Sequence, residues 1–280
     1  LLIAGCGFLG ESAAGFFLSS GWEVVPLTAS QESVARLAEK FPAATAADIS
    51  SAESLDAVRA QHGAFDLVLH CASSGRGGAD AYRNIYVNGA SRLSEKFPEA
   101  RLIFTSSTSV YAQADGAWVH ETSPAEPQRE TGELLLEAES IALRAGGNVL
   151  RLAGIYGPGR SVLLRKFRGG SAVLEDGGHR WINQIHRDDA ARAVLAVAQS
   201  GAPGEIYNVA DDTPATQREV YGWIADFLNQ PPPPEGPADM NRKRGWTSKR
   251  VSNARLRALG WAPQFSAYCV ALPSLVGVES

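Results

Sequence analysis

The first residues with chemistry in their spacing are Gly5-Cys6-Gly7-Phe8-Leu9-Gly10, which spell G-x-G-x-x-G. Alone the string is weak. Here an apolar run over 1–4 precedes it and a helical pattern over 11–20 follows, the strand–turn–helix setting that a pyrophosphate-binding turn requires. The first glycine permits the tight turn, the second lets backbone approach phosphate, and the third lets helix and strand pack closely. The helix N-terminus adds open N–H groups and the positive end of its dipole. Thr28 stands where the second strand should end beside an adenosine ribose, a place where a carboxylate commonly accepts the 2′-OH. Thr28, Ala29 and Ser30 are all neutral. The hydroxyls of Thr28 and Ser30 can bond a 2′-phosphate, although no Arg is adjacent in sequence. The expected cofactor is therefore NAD(P), leaning to NADP.

Other titratable groups read more plainly. His186, Asp188 and Asp189 can be drawn as an acid/base cluster, but acids in a helix's first turn complement its dipole and account for both Asp residues. His120-Glu121 lies in a loop before Pro124 and reads as surface. Arg160, after Gly157-Pro158-Gly159, is placed either to meet an anionic substrate group or to stay solvated. Arg242-Lys243-Arg244 with Lys249-Arg250 form a basic patch, read as a solvated face or a small-anion pocket. Cys6, Cys71 and Cys269 are too few and too scattered for a disulfide framework or a zinc site, so no metal is expected.

The elements that must position these residues alternate short apolar strands with longer helical segments, the signature of βαβ units and a parallel sheet. Strands are expected at 1–4, 23–27, 43–47, 67–71, 101–106, 148–152 and 206–209. Helices are expected at 11–20, 31–40, 79–95, 131–145, 188–199 and 217–228, with a short one from Asn253. The predicted fold is α/β, a Rossmann-type doubly wound parallel sheet with a smaller C-terminal substrate lobe. Residues 1–156 and 186–212 are assigned to the dinucleotide-binding domain, and 157–185 and 213–280 to the smaller lobe. The run Pro231–Pro234 reads as a stiff surface linker.

A chain of 280 residues with 45% hydrophobic and 20% charged residues is ordinary globular composition. A net charge of -4 argues against a nucleic-acid or anionic-membrane surface. The scarcity of cysteine fits a reducing cytoplasm. The chain opens inside an apolar strand without an initiator Met, so further residues are expected before Leu1. The expected partner is a small-molecule substrate, with no nucleic acid and no membrane. The oligomeric state is open, and a homodimer is one possibility.

Further segments in fixed order resemble the extended short-chain dehydrogenase/reductases, the NAD-dependent epimerase/dehydratase family. Asp48-Ile49 resembles the pair placed near adenine. His70-Cys71-Ala72-Ser73 is similar to the segment along the cofactor, and Asn88 sits where the family often has Asn. Thr105-Ser106-Ser107-Thr108-Ser109-Val110-Tyr111 resembles the strand-five signature. Arg151-Leu152-Ala153-Gly154-Ile155-Tyr156-Gly157-Pro158-Gly159 resembles the strand-six loop that meets the nicotinamide. Ile185-His186-Arg187-Asp188-Asp189-Ala190 and Ile206-Tyr207-Asn208-Val209 resemble two later segments. The resemblance implies a cofactor site built from Gly5, Gly7, Phe8, Leu9, Gly10, Thr28, Ser30, Asp48, Ile49, Cys71, Ala72, Ser73, Asn88, Thr105, Ser106, Leu152, Ala153, Gly154 and Ile155.

The catalytic pair does not carry over. The family's Tyr-x-x-x-Lys falls on Thr131 and Leu135, and no other Tyr-x-x-x-Lys occurs in the chain. A Thr hydroxyl does not titrate near neutrality, and general acid/base catalysis supplies roughly two to four decades in rate. The expected catalytic set is Ser107 as the substrate-bonding hydroxyl, Tyr111 as surviving proton donor, and Thr131, which would otherwise be a helix N-cap. Two readings stay open: an oxidoreductase or epimerase for a small polar, nucleotide-sugar-like substrate, or a non-catalytic NAD(P) sensor or scaffold.

Overall fold

The computed structural model describes residues 1–75, 77–240 and 246–277. The seven strands of its central sheet are β1 (Leu2–Ala4), β2 (Val25–Thr28), β3 (Thr45–Ala46), β4 (Leu67–His70), β5 (Arg101–Ser107), β6 (Asn148–Leu152) and β7 (Ile206–Val209). Every ladder is parallel and the spatial order is β7-β6-β5-β4-β1-β2-β3. All four residues of β4 are buried, as expected for a parallel strand covered on both faces. The chain winds outward in one direction from β1 to β3 and in the other from β4 to β7. Such a reversal leaves a crevice at the carboxyl ends of β1 and β4, where ligands bind in this architecture. The expected Rossmann-type sheet is what forms.

The helices are α1 (Phe8–Ser19), α2 (Gln31–Ala38), α3 (Ala52–His62), α4 (Ala79–Tyr82), α5 (Gly89–Lys96), α6 (Glu130–Arg144), α7 (Val162–Arg168), α8 (Arg187–Ser200), α9 (Gln217–Leu228), α10 (Ala254–Arg257) and α11 (Tyr268–Val276). α1 packs on α8, and α5 packs between α3 and α6. Three of these differ from the sequence reading. α3 was not expected; Ser51 caps it by accepting from Ser54 N–H, and Leu55 and Val58 are its buried side chains. α11 was also not expected. The helix expected over 79–95 is interrupted by a π-helical turn, Arg83–Asn88, between α4 and α5.

Two apolar clusters form. The larger surrounds the sheet, and Val251, Leu256 and Trp261 belong to it although they lie late in the chain. The smaller gathers Tyr156, Leu164, Leu174, Tyr221, Ile224, Tyr268 and Leu272. Between them, Asp189 is fully buried, and its carboxylate accepts from Gln264 N–H at 2.8 Å and Phe265 N–H at 2.9 Å. No helix among the described residues is long and apolar enough to cross a membrane.

Candidate functional site

A cleft of about 720 Å³ runs along the carboxyl ends of the strands. Gly5, Gly7, Phe8 and Leu9 line it beyond β1, Thr28 at the end of β2, and Asp48 and Ile49 beyond β3. Cys71, Ala72 and Ser73 line it beyond β4, Thr105, Ser106 and Ser107 at the end of β5, and Leu152, Ala153, Gly154 and Ile155 at and beyond β6.

The glycines divide the labour that their spacing implies. Gly5 has φ +97°, and a Cβ there would lie 2.2 Å from the Ala72 Cα, so only glycine fits. A Cβ on Gly10 would lie 2.7 Å from the Gly5 carbonyl oxygen, so this glycine serves the packing of α1 on β1 and is not in the cleft wall. A Cβ on Gly7 would meet nothing within 4 Å. The protein itself therefore leaves space over Gly7, at the N-terminus of α1 where backbone N–H groups lack helical partners. That is a cradle a diphosphate fits. The Arg160 guanidinium also lines the cleft and lies 5.0 Å from the centre of the Phe8 ring.

Cys6 and Cys71 are inert walls. Burial pushes the Cys6 thiol up to about 12, with Glu11 adding to the rise. Burial raises the Cys71 thiol further, and its S–H donates to the Gly5 carbonyl at 3.2 Å.

Several expected residues stand elsewhere. Ser30 is the N-cap of α2, its hydroxyl accepting from Ser33 N–H at 3.2 Å. Asn88 is exposed, outside the cleft wall, and bonds Asn84; the π turn rotates the face of this helix, so Asn84 lines the cleft instead. Thr131 is not the N-cap of α6. Arg129 holds that position with extended backbone and no side-chain cap, and Thr131 lies in the first turn.

Tyr111 is fully buried and absent from the cleft wall. Its hydroxyl donates to Asn208 Oδ1 at 2.9 Å and accepts from Arg151 Nη1 at 2.9 Å. Burial pushes its phenol up, against the pull of Arg151. The proton-donor reading of Tyr111 is corrected on these grounds: the group is a member of a buried network. Arg151 in turn makes a buried pair with Glu139, 2.6 Å from Nη2 to Oε2, and Glu139 also accepts from the Ser106 hydroxyl at 2.5 Å.

The cleft wall holds two tyrosines that the sequence did not single out, Tyr82 and Tyr86, both largely buried. Tyr82, at the end of α4, lines the main cleft and also a small adjoining recess. Leu135 lines both spaces too, while Thr131 faces the recess alone. Leu135 thus sets an apolar side chain where the resemblance places a lysine. Tyr82 and Tyr86 are one helical step apart and pack ring to ring at 4.9 Å. In a sequence, that spacing reads only as a core-facing stripe.

The remaining candidates are structural. His186 is buried and caps α8, its Nδ1 accepting from Asp188 N–H at 3.2 Å. Glu121 is not a surface group, for its side chain is 5% exposed and accepts from the Asn208 N–H of the sheet edge at 2.8 Å. Lys249 is likewise buried, donating to the Tyr111 carbonyl at 2.7 Å, and burial pulls its ammonium down to about 8. Arg250 stacks between Trp118 and Trp181. Arg242, Lys243 and Arg244 lie outside the described residues. Among the described residues no group of His, Cys, Asp and Glu is arranged to hold a metal ion.

Fold and cleft together define a Rossmann-type dinucleotide-binding protein. The chain belongs to the NAD dependent epimerase/dehydratase family, whose sequence profile matches residues 1–210. It is 32% identical over 239 residues to Protein YeeZ of Escherichia coli K12, covering 82% of this chain and 84% of that one. A Methylobacillus flagellatus structure of the epimerase/dehydratase type superposes with TM-score 0.79 at 28% identity, over 99% of this chain and 97% of that one. The dTDP-glucose 4,6-dehydratase of Bacillus anthracis, solved in complex with NAD, superposes with TM-score 0.82 at 19% identity, over 99% and 96%.

Proposed function

We propose that this chain binds NAD(P) along the cleft and acts as an oxidoreductase or epimerase on a small polar, nucleotide-sugar-like substrate. The observation that carries the reading is the continuous cleft from the Gly-rich turn to the end of β5. It leaves open space over Gly7 at one point and has Ser107 and Tyr82 among the residues of its wall at another. The Bacillus relative, which acts on a nucleotide sugar and binds NAD, supports the substrate class. The absence of a carboxylate at Thr28 favours NADP over NAD.

The bound dinucleotide would supply or accept the hydride. Thr28, Ile49, Ala72 and the residues beyond β6 would hold it in place. Ser107, on the rigid end of β5, bonds the substrate oxygen. Tyr82, which lines both the cleft and its recess, serves as the proton donor in this reading, and Leu135 keeps that wall dry. Thr131, in the recess, is placed to orient a water.

The tests are NADPH oxidation against a panel of nucleotide-linked keto sugars and, because an epimerase regenerates its cofactor, interconversion of nucleotide sugars by the cofactor-loaded chain. Ser107→Ala should lower turnover by roughly 10²-fold or more, and Tyr82→Phe by roughly 10² to 10⁴, both with NADPH affinity retained. Thr131→Val should cost little. If Thr131→Val alone abolished turnover, the roles assigned here would be wrong.

A further inference from the structure

We propose that Tyr86 is a cofactor-binding residue, its phenol hydroxyl bonding the ribose on the nicotinamide side of the bound dinucleotide. The proposal rests on the dinucleotide reading above. Tyr86 lies in the π turn and lines the cleft. The residue is 8% exposed, and its hydroxyl is neither hydrogen-bonded among the described residues nor sealed from solvent. The small open part of an otherwise buried phenol is thus its polar end.

The packing fixes where that hydroxyl stands. The Tyr86 ring stacks on His70, the last residue of β4, at 6.4 Å, and meets the Phe104 ring of β5 edge to face at 6.2 Å. His70 in turn holds the π turn, its Nε2–H donating to the Ile85 carbonyl at 2.9 Å. The phenol therefore sits over the carboxyl ends of β4 and β5. A diphosphate over Gly7 lies beyond β1, with adenosine on the β2–β3 side, where Thr28, Asp48 and Ile49 line the cleft. The nicotinamide half takes the other side, towards Ser107. Neighbouring strands lie about 4.8 Å apart, so β5, two strands from β1, is roughly 10 Å from it. The second ribose, one ester link from the diphosphate, comes down in that interval, before Tyr86.

The chemistry fits a ribose diol. A hydroxyl taken out of water needs a partner. Thr105 Oγ1 donates to the His70 carbonyl at 3.1 Å and Ser106 Oγ donates to Glu139 at 2.5 Å, so neither has a proton left to give a ribose oxygen. Ser107 is assigned to the substrate, and Leu135 is apolar. Tyr86 keeps an O–H to give and lone pairs to accept with.

The experiment is titration of the whole chain with NADPH, NADH, ADP-ribose and ADP, for the wild type and Tyr86→Phe. The substitution deletes one oxygen and keeps the ring contacts with Tyr82, His70 and Phe104. ADP-ribose carries the second ribose without nicotinamide, and ADP ends at the diphosphate. The variant should bind NADPH, NADH and ADP-ribose roughly 3- to 10-fold more weakly, the effect of one neutral hydrogen bond, and ADP as the wild type does. Unchanged affinity for NADPH and ADP-ribose would overturn the proposal while leaving the dinucleotide site standing. So would an equal loss for ADP, which lacks the ribose in question. Failure of the wild type to bind NADPH and NADH would overturn the dinucleotide reading and this proposal with it.

Discussion

Replacing Glu139 by Ala removes the counter-charge from a buried guanidinium. Arg151 and Glu139 side chains are 5% and 3% exposed, and Arg151 Nε and Nη2 bond the carboxylate at 3.1, 3.2 and 2.6 Å. The carboxylate also holds the Ser106 hydroxyl, whose residue lines the cleft beside Ser107. Deleting one partner of a buried ion pair typically costs about 3–5 kcal/mol, because the remaining charge is left uncompensated. With a urea slope of about 3 kcal/mol per molar, that is a fall of roughly 1 M or more in the unfolding midpoint. Replacing Arg151 by Met in the same chain removes the stranded charge and should recover most of the loss. Urea unfolding of Glu139→Ala, Arg151→Met and the double variant measures both the cost and the coupling. A single-variant loss below about 1 kcal/mol, or strictly additive losses in the double variant, would refute a coupled buried ion pair between Arg151 of β6 and Glu139 of α6.

Two other predictions concern the fold. Asp211 is buried, its carboxyl pushed up to about 8 by burial, with Asp212 and Asp189 adding to the rise and the Thr213 N–H opposing it. The native state therefore keeps a proton that the unfolded chain releases near pH 4. Its contribution to stability is full below about pH 4 and falls by about 1.4 kcal/mol per pH unit as pH rises towards 8. Asp211→Asn should flatten this decline in thermal unfolding followed from pH 5 to 8, and parallel wild-type and variant curves would contradict it. Gly10→Ala places a methyl 2.7 Å from the Gly5 carbonyl, so α1 must shift. The variant should lose about 1–3 kcal/mol in urea unfolding, and an unchanged midpoint would contradict the packing role.

The parallel sheet could be read from sequence because its central strands, β1 and β4 above all, are short apolar runs bounded by breakers. The Gly-rich turn could be read because each glycine answers a separate steric demand, at Gly5, Gly7 and Gly10. What escaped was set by tertiary placement. α3 shows a narrow buried stripe, Leu55 and Val58, too short to give a clear period. α11 contains Pro273, which reads as a break. The π turn moved Asn88 out of the cleft and Asn84 into it, and no residue type signals an extra residue in a helical turn. Arg36 lines the cleft beside Thr28 because α2 returns it to the strand end, a placement that its position in the sequence does not signal. Tyr111 and Tyr82 are both tyrosines in apolar surroundings. Only the structure shows that the first is locked to Arg151 and Asn208 while the second lines the cleft.

The central claim is that a dinucleotide lies over the Gly-rich turn, and calorimetric titration of NADPH into the wild type and Gly7→Val tests it most directly. The structure leaves space above Gly7, so the variant should unfold at a temperature close to the wild type's while its branched side chain occupies the diphosphate's place. The account predicts saturable binding at one site per chain in the wild type and none in the variant. Equal affinity in wild type and folded Gly7→Val would contradict it.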